Sequence, residues 1–468
     1  MFCKSFFLFL HRLRVIVDYL CLYMTKEISY NQTPAYIKRL IQVRETGDLD
    51  GVNAKREDNL HRLFYYPAMM VPSTQSAIIE AIKPELPTNA IAIDPFMGSG
   101  TSLLSCMEYG IGIYGQDINP LSVLLVQSKT DCYDTDSLSF ALSSMLDRVS
   151  IDNSNSIDVS FPSIDKWFPQ DVQIDLSKLR RSIIQEESAF ARKFFWVILA
   201  EVIRRDSNDR TSTFKLHQRS IEDIQRRNVD VIQDFKTLAK RGISDIISFK
   251  TKLQSKDLIQ ENAYRFTHQI QWGNTQKRIE SEHEFDILVS SPPYGDNSTT
   301  VTYGQHCYLQ LQWIDKKDLD SDIDYDFLKT TQEIDRQSLG GKINNKWVRE
   351  HIPAILERIP SLKEFMDTVP EEEKEKYYKT ISFISDFESA LSNITESMSD
   401  DAFYIWTIGN RNVGKRVVPN DKILIDLMEN LNIKLVFNAE RKILNKTQAC
   451  RNKTSNTMEK EHILIFHR

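Results

Sequence analysis

The chain is short of the residues that mark several common classes of protein. Its six cysteines, Cys3, Cys21, Cys106, Cys132, Cys307 and Cys450, are scattered without close pairs. That argues against a zinc knuckle or a dense disulfide framework and makes a reducing cytoplasm the default compartment. His61, His217, His268, His283, His306 and His462 lack metal-ligand spacing, so no metal is expected. No long apolar run is free of charge. Residues 1 to 23 are apolar and aromatic, but Lys4, His11, Arg12, Arg14 and Asp18 interrupt them. This is too charged for a membrane span, and it lacks the unbroken apolar region and small-residue cleavage site of a signal peptide. Neither a membrane nor secretion is expected, and the polar start after Met24 points to translation beginning there. Positive charge is not in excess either: the net charge is −6 and the pI about 5.9. Contact with a polyanion would therefore need a local basic patch.

What is present is a large, well-mixed chain. At 468 residues and 41% hydrophobic content it can bury one large core or two smaller ones. Residues 34 to 45 have helical spacing of apolar positions, and Ser73 is expected to cap a following helix. Strand-like runs at 90–93 and 111–115 enclose a helix at 99–109, one βαβ unit. From about 135 to 260 the pattern is helical, notably at 178–205 and 221–238. The α/β rhythm resumes at 267–272 and 285–289, and again at 403–408, 433–437 and 462–466. A second polar, acidic and helical stretch runs from Asp315 to Ser399, with a Gly340-Gly341 turn. Trp167-Phe168, Phe194-Phe195-Trp196 and Trp313 are read as core packing. The fold class is α/β with a large, mainly helical insertion.

Two loops carry chemistry. After the first strand comes Asp94-Pro-Phe-Met-Gly-Ser-Gly-Thr101, in which Gly98 and Gly100 permit tight backbone and close approach of a nucleoside. Seventeen positions beyond Gly100, in Gln116-Asp-Ile-Asn-Pro120, Asp117 ends the second strand, where an acid can accept both ribose hydroxyl protons. The third glycine of the dinucleotide fingerprint is missing, as is any G-x-x-x-x-G-K-[ST], which weakens NAD and NTP readings. The second loop, Ser291-Pro-Pro-Tyr294, follows another strand. An exocyclic amine that is to be alkylated needs acceptors to orient its hydrogens, leaving the nitrogen lone pair directed at the electrophile. The Ser291 hydroxyl and Pro292 carbonyl can accept, Pro292 and Pro293 stiffen the backbone, and Tyr294 offers a flat face to a base turned out of its stack.

With both loops in hand, the chain resembles the amino-methylating DNA methyltransferases that use S-adenosylmethionine. Their cofactor motif is Asp-Pro-Phe-x-Gly-x-Gly-Thr and their catalytic motif (Asp/Asn/Ser)-Pro-Pro-(Tyr/Phe). The serine version is most typical of cytosine-N4 enzymes. The resemblance implies a Rossmann-like methyltransferase sheet of seven strands, the last antiparallel, with residues 400 to 468 as its fifth strand and closing hairpin. It implies that Tyr65-Tyr-Pro-Ala68 with Pro72 and Ser73 approaches the methionine end of the cofactor, that Asp94 lies near its amino group, and that Asn274 stands where the family has an acid beside the adenine. The implied cofactor set is Tyr66, Pro67, Ser73, Asp94, Pro95, Phe96, Gly98, Gly100, Thr101, Asp117, Asn119 and Asn274. The implied catalytic set is Ser291, Pro292, Pro293 and Tyr294.

The expected organisation is an extension and lead-in helix at 1–60, a cofactor half at 61–134, a helical insertion at 135–262 and a catalytic half at 263–468 with an excursion at about 315–399. In this family such an insertion can hold the target-recognition region. Residues 178–256 contain 18 Lys and Arg against 10 Asp and Glu, and Arg180, Arg181, Arg204, Arg205, Arg210 and Lys215 are candidate DNA contacts. The expected activity is methyl transfer to cytosine N4 in double-stranded DNA, in a prokaryotic cytoplasm, with a restriction endonuclease or defence-system proteins as candidate partners. Adenine N6, an RNA guanine amine and a catalytically silent scaffold stay open.

Overall fold

The computed structural model describes residues 33–51, 58–342, 344–443 and 460–468. The first 23 residues, and with them the start proposed at Met24, lie outside the described residues. Among those described, no helix is long and apolar enough to cross a membrane.

Seven strands form one sheet: β1 (Ile91–Asp94), β2 (Gly112–Asp117), β3 (His268–Trp272), β4 (Phe285–Ser290), β5 (Met398–Ile408), β6 (Lys434–Lys442) and β7 (Lys460–His467). Their order is β6-β7-β5-β4-β1-β2-β3. The central pairs are parallel, whereas β7 runs antiparallel to both β5 and β6. The expected seven-stranded sheet with its last strand reversed is thus the one observed. Successive side chains of each strand point to opposite faces. Ala92, Ile287, Val289, Phe403, Ile405, Ile463 and Ile465 enter one core. Their alternates Ile91, Ile93, Leu288, Tyr404, Trp406, Leu464 and Phe466 enter the other. Burial on both faces explains why these strands read as near-continuous apolar runs.

The longer helices among the described residues are α1 (Ala35–Thr46), α2 (Pro72–Ile82), α3 (Thr101–Met107), α4 (Pro120–Thr130), α5 (Thr135–Ile151), α6 (Gln170–Ile184), α7 (Ala189–Asp206), α8 (Val231–Gln254), α9 (Tyr303–Trp313), α10 (Asn345–Arg358), α11 (Pro360–Asp367), α12 (Tyr378–Glu396) and α13 (Asn420–Asn430). The stretch expected as a helix over 178–205 is two helices, because the Ser188 hydroxyl accepts from Ala191 N at 3.3 Å and starts α7 afresh. Likewise 221–238 divides into a short turn of helix, Ile221–Arg226, and α8, whose cap is Asp230 accepting from Gln233 N at 2.9 Å. Ser73 is not the cap of its helix: α2 begins at Pro72 after Val71, and Ser73 sits inside the first turn. A proline at the first helical position costs no hydrogen bond, which lets the helix start one residue early.

The insertion α5–α8 interrupts the β2-to-β3 connection and shares the first core, with Phe194, Trp196 and Leu238 in the same cluster as Ala92 and Ile113. Trp167, Phe168 and Trp313 are buried there, as expected. The acidic excursion contains an integral part of the sheet domain. Within it, α12 buries Ile381, Ile384, Phe387 and Leu391 against the second face, and Phe387 meets Trp406 edge-on at 6.0 Å. It is the crossover helix between parallel β4 and β5. Strand order reverses at β1, where connections leave in opposite directions, and such a switch point opens a crevice beyond the carboxyl ends of β1 and β4.

Candidate active site

The glycine loop leaves β1 at Asp94 and enters α3 at Thr101. Gly98 (φ +48°) and Gly100 (φ +76°) both occupy left-handed backbone. A Cβ on Gly98 would lie 3.2 Å from the Tyr66 ring, and one on Gly100 would lie 2.9 Å from Val126. Gly98 N donates to Asp117 Oδ2 at 2.9 Å, Asn119 N to Asp117 Oδ1 at 2.8 Å, and the Ser122 hydroxyl to Gly98 O at 2.5 Å. The ends of β1 and β2 are thereby locked together. Burial pushes the Asp117 carboxyl above its ordinary value, against the pull of the Asn119 and Gly98 amides.

Asp94 serves the framework. Its carboxylate accepts from the Ser102 hydroxyl, from the Ser290 hydroxyl at 2.7 Å and from Phe96 N at 3.1 Å, joining β1, α3 and β4. It is fully buried, and burial pushes it up to about 6 while the Ser102, Ser290 and Phe96 donors restrain the rise.

Around these loops lies an open crevice, with about 830 Å³ of empty space including the solvent at its opening. Of the candidate cofactor set, Tyr66, Pro67, Pro95, Phe96, Gly98, Thr101, Asp117, Asn119 and Asn274 line it. Asp94, Gly100 and Ser73 stand behind the wall, and the buried Ser73 hydroxyl has no partner among the described residues. Tyr66 stacks on Tyr303 at 5.6 Å, and its hydroxyl accepts from Asn119 Nδ2 at 3.1 Å. Beside it Ala68 adopts φ +53°, an uncommon conformation for a residue with a Cβ. Sequence reasoning missed Tyr303, Asn297, Ser338 and Leu339, which also line the crevice. Asn297 is buried, and its Oδ1 has no partner among the described residues. It is an acceptor ready for an N–H or O–H of a ligand.

Ser291 and Pro293 line the same crevice. The Ser291 hydroxyl is 3.2 Å from the Tyr294 hydroxyl, which donates to Glu461 Oε1 at 3.0 Å. Glu461 in turn accepts from Arg441 Nε at 2.8 Å. Burial, then the Glu461 charge, pushes the Tyr294 phenol well above its ordinary value, so it remains protonated. Asn420 Nδ2 clamps the loop by donating to Tyr294 O at 3.0 Å and Gly409 O at 2.9 Å. Pro292 is buried, and neither it nor Tyr294, which packs against the second core, lines the crevice.

The candidate basic contacts divide. Arg180 donates to Trp313 O and Asp315, Arg181 pairs with Asp152 and Asp158, and Arg204 makes a two-pronged contact with Glu201 at 2.8 and 2.7 Å while lying over the Tyr65 ring. Arg205 is half-buried. Arg210 and Lys215 are exposed, on a hairpin closed by Arg210 N donating to His217 O at 2.8 Å. That hairpin rests on the start of α9, where the Thr302 hydroxyl donates to Phe214 O at 3.2 Å, next to crevice-lining Tyr303.

A glycine loop crowded against Tyr66 and Val126, an acid at the end of β2, an orphaned acceptor and a crevice at the switch point all fit S-adenosylmethionine, and the fold and site together define a methyltransferase that uses it. Over 435 residues, 89% of this chain and 92% of the relative, the chain is 30% identical to the Type II methyltransferase M.MvaI of Kocuria varians. It belongs to the Type II methyltransferase family. A shorter stretch of 94 residues, 20% of this chain and 17% of the relative, is 35% identical to the Type II methyltransferase M.MjaII of Methanocaldococcus jannaschii. A solved structure, the rRNA methyltransferase aviRa from Streptomyces viridochromogenes, covers 89% of this chain and 94% of its own at 9% identity, and its TM-score of 0.29 lends it no weight here. No family model matches the chain.

Proposed function

We propose that the protein is a site-specific DNA methyltransferase that turns a cytosine out of duplex DNA and methylates its N4 atom. One observation carries this reading. Ser291 and Pro293, from the loop suited to an exocyclic amine, line the same crevice as Gly98 and Asp117, from the loop suited to a nucleoside. Membership of the Type II family supports DNA as substrate and a cognate restriction endonuclease as partner. The serine at the head of Ser291-Pro-Pro-Tyr294 favours cytosine N4 over adenine N6.

S-adenosylmethionine supplies an electrophilic methyl group. The chain's own residues supply orientation. In this reading the Ser291 hydroxyl and the Pro292 carbonyl, in the peptide that leads to crevice-lining Pro293, accept the two amine hydrogens, which turns the nitrogen lone pair toward the methyl group. Tyr294 holds its plane through Glu461 and stacks on the base. Asp117 and Asn274 serve the nucleoside end, and Tyr66, Pro67 and Asn297 close the other side. No strong base is required, because the amine loses its proton readily once alkylated. Arg210 and Lys215 are the candidate phosphate contacts with free reach.

The test is transfer of labelled methyl from S-adenosylmethionine to duplex DNA of mixed sequence, followed by digestion to nucleosides and mass spectrometry. N4-methylcytosine is the expected product. N6-methyladenine would overturn the base assignment while keeping the geometry, and label appearing only on RNA would overturn the substrate.

A further inference from the structure

Lys129, on α4, is 1% exposed and one of the largest fully buried side chains of the protein. Its Nζ donates to Ser99 O at 2.7 Å, the carbonyl between Gly98 and Gly100. Among the described residues no carboxylate pairs with it. The acids on the elements packed around it are all turned elsewhere. Asp131, two residues on, faces Lys193 and His268. Asp94 is held by Ser102 and Ser290, and Asp117 by Gly98 and Asn119. From α7, Glu201 pairs with Arg204, and from α8, Asp245 pairs with Arg62. The titratable neighbour is His61, whose Nε2 lies 2.9 Å from Thr101 Oγ1. Burial and then the Lys129 charge bring that imidazole down to about 3, so it stays neutral. A buried ammonium with one neutral acceptor is costly, and burial alone lowers Lys129 to about 7.

The crevice on the other side of Ser99 lacks what Lys129 has. Among the described residues that line it, Asp117 is the one acid, and none is a lysine, arginine or histidine. S-adenosylmethionine carries a carboxylate, which Asp117 repels from the end of the crevice that it occupies. Ser99 and Thr101 line the crevice, and the Lys129 ammonium is bonded to the Ser99 carbonyl in that wall.

We propose that Lys129 is a positioning residue for the cofactor, fixing the Ser99 carbonyl and supplying the positive charge that the cofactor carboxylate meets across the glycine loop, so that cofactor binding and protonation of Lys129 are coupled. The proposal rests on the cofactor assignment and is independent of which base is methylated.

The coupling is read on the wild-type protein by NMR titration of lysines labelled at Cε. One lysine should titrate near neutral pH in the free protein, and its midpoint should rise by about one pH unit or more with S-adenosylmethionine bound, while decarboxylated S-adenosylmethionine leaves it nearly unmoved. The folded Lys129→Met variant should lack that resonance and bind the cofactor about fivefold more weakly at pH 7, where the free lysine is about half protonated, rising to about tenfold near pH 6, because a tenfold gain in proton affinity on binding must be matched by a tenfold gain in cofactor affinity on protonation. Failure of any lysine to titrate near neutral pH, or an equal rise with both ligands, overturns the proposal. So does a folded Lys129→Met variant that binds as tightly as the wild type. Absence of any binding of S-adenosylmethionine overturns the cofactor assignment as well, which separates the two failures.

Discussion

The phenol of Tyr294 donates to the carboxylate of Glu461 across 3.0 Å, although 167 positions separate them in the chain. The bond fastens the loop after β4 to the last strand of the sheet, and Arg441 backs it from β6. Tyr294→Phe keeps the flat ring and removes the tether. Its expected effect is a fall in kcat of about ten- to a hundredfold with the cofactor KM unchanged, since a loosened reactive geometry costs rate before it costs binding. Glu461→Ala strands Arg441, whose side chain is only 7% exposed. Thermal unfolding should show a loss of about 3 kcal/mol, the cost of an uncompensated buried charge. Full activity in Tyr294→Phe under single-turnover conditions would remove the tether from the mechanism.

Gly98→Ala tests the glycine loop. The new Cβ meets the Tyr66 ring at 3.2 Å in a backbone conformation at φ +48° that alanine disfavours. Tyr66 is held from behind by Tyr303 and Asn119, so it cannot retreat freely. Stability should fall by about 1 kcal/mol, and calorimetry should show cofactor binding weakened at least about tenfold, because the loop and Tyr66 wall the same crevice.

The parts of this site that could be read in the sequence are those at strand ends. Asp94, Gly98, Asp117 and Ser291 each follow an apolar run with strong turn chemistry, and parallel strands bring their carboxyl ends together whatever lies between. Glu461, Asn297, Ser338 and Leu339 carry no such local mark. They reach the site only because β7 folds back beside β5 and because the chain beyond Ser291-Pro-Pro-Tyr294 returns over the crevice. The helical insertion was legible as helix, yet its breaks at Ser188 and Asp230 depended on caps that a periodic pattern does not weigh. Charge density along a helix, for its part, says nothing of which guanidinium finds an acid: Arg180, Arg181 and Arg204 do, whereas no acid pairs with Arg205 among the described residues.

Asp94→Asn gives a prediction with a definite sign. The native carboxyl sits at about 6, above its ordinary 3.8. Between those values the folded state holds more protons than the unfolded one, so this group's stabilising contribution is complete below 3.8 and is lost as pH rises through about 6. A rise of that size corresponds to about 3 kcal/mol. Asparagine can still accept from Phe96 N and Ser290. The variant's Tm should therefore change less than that of the wild type between about pH 4 and 7, and the two curves should converge at the acid end. An unchanged pH slope would show that Asp94 is ionised in the folded protein at ordinary cost.

Arg181 and Arg210 separate a structural arginine from a free one. Arg181 is committed to Asp152 and Asp158, each at 2.8 Å. Replacing it with alanine should lower stability by about 1 kcal/mol and leave the salt dependence of DNA binding where it was. Arg210 and Lys215 stand exposed on the hairpin that rests against the start of α9, where Tyr303 lines the crevice. If they meet phosphates, each alanine substitution should weaken binding to all sequences alike and reduce the slope of log K against log salt by about one. The thermal stability of the Arg210 variant should hardly change, because the hairpin is closed there by backbone hydrogen bonds that alanine retains. A full-sized slope in the double variant Arg210→Ala, Lys215→Ala would send the search for the phosphate surface to another face of the insertion, with half-buried Arg205 the next residue to substitute.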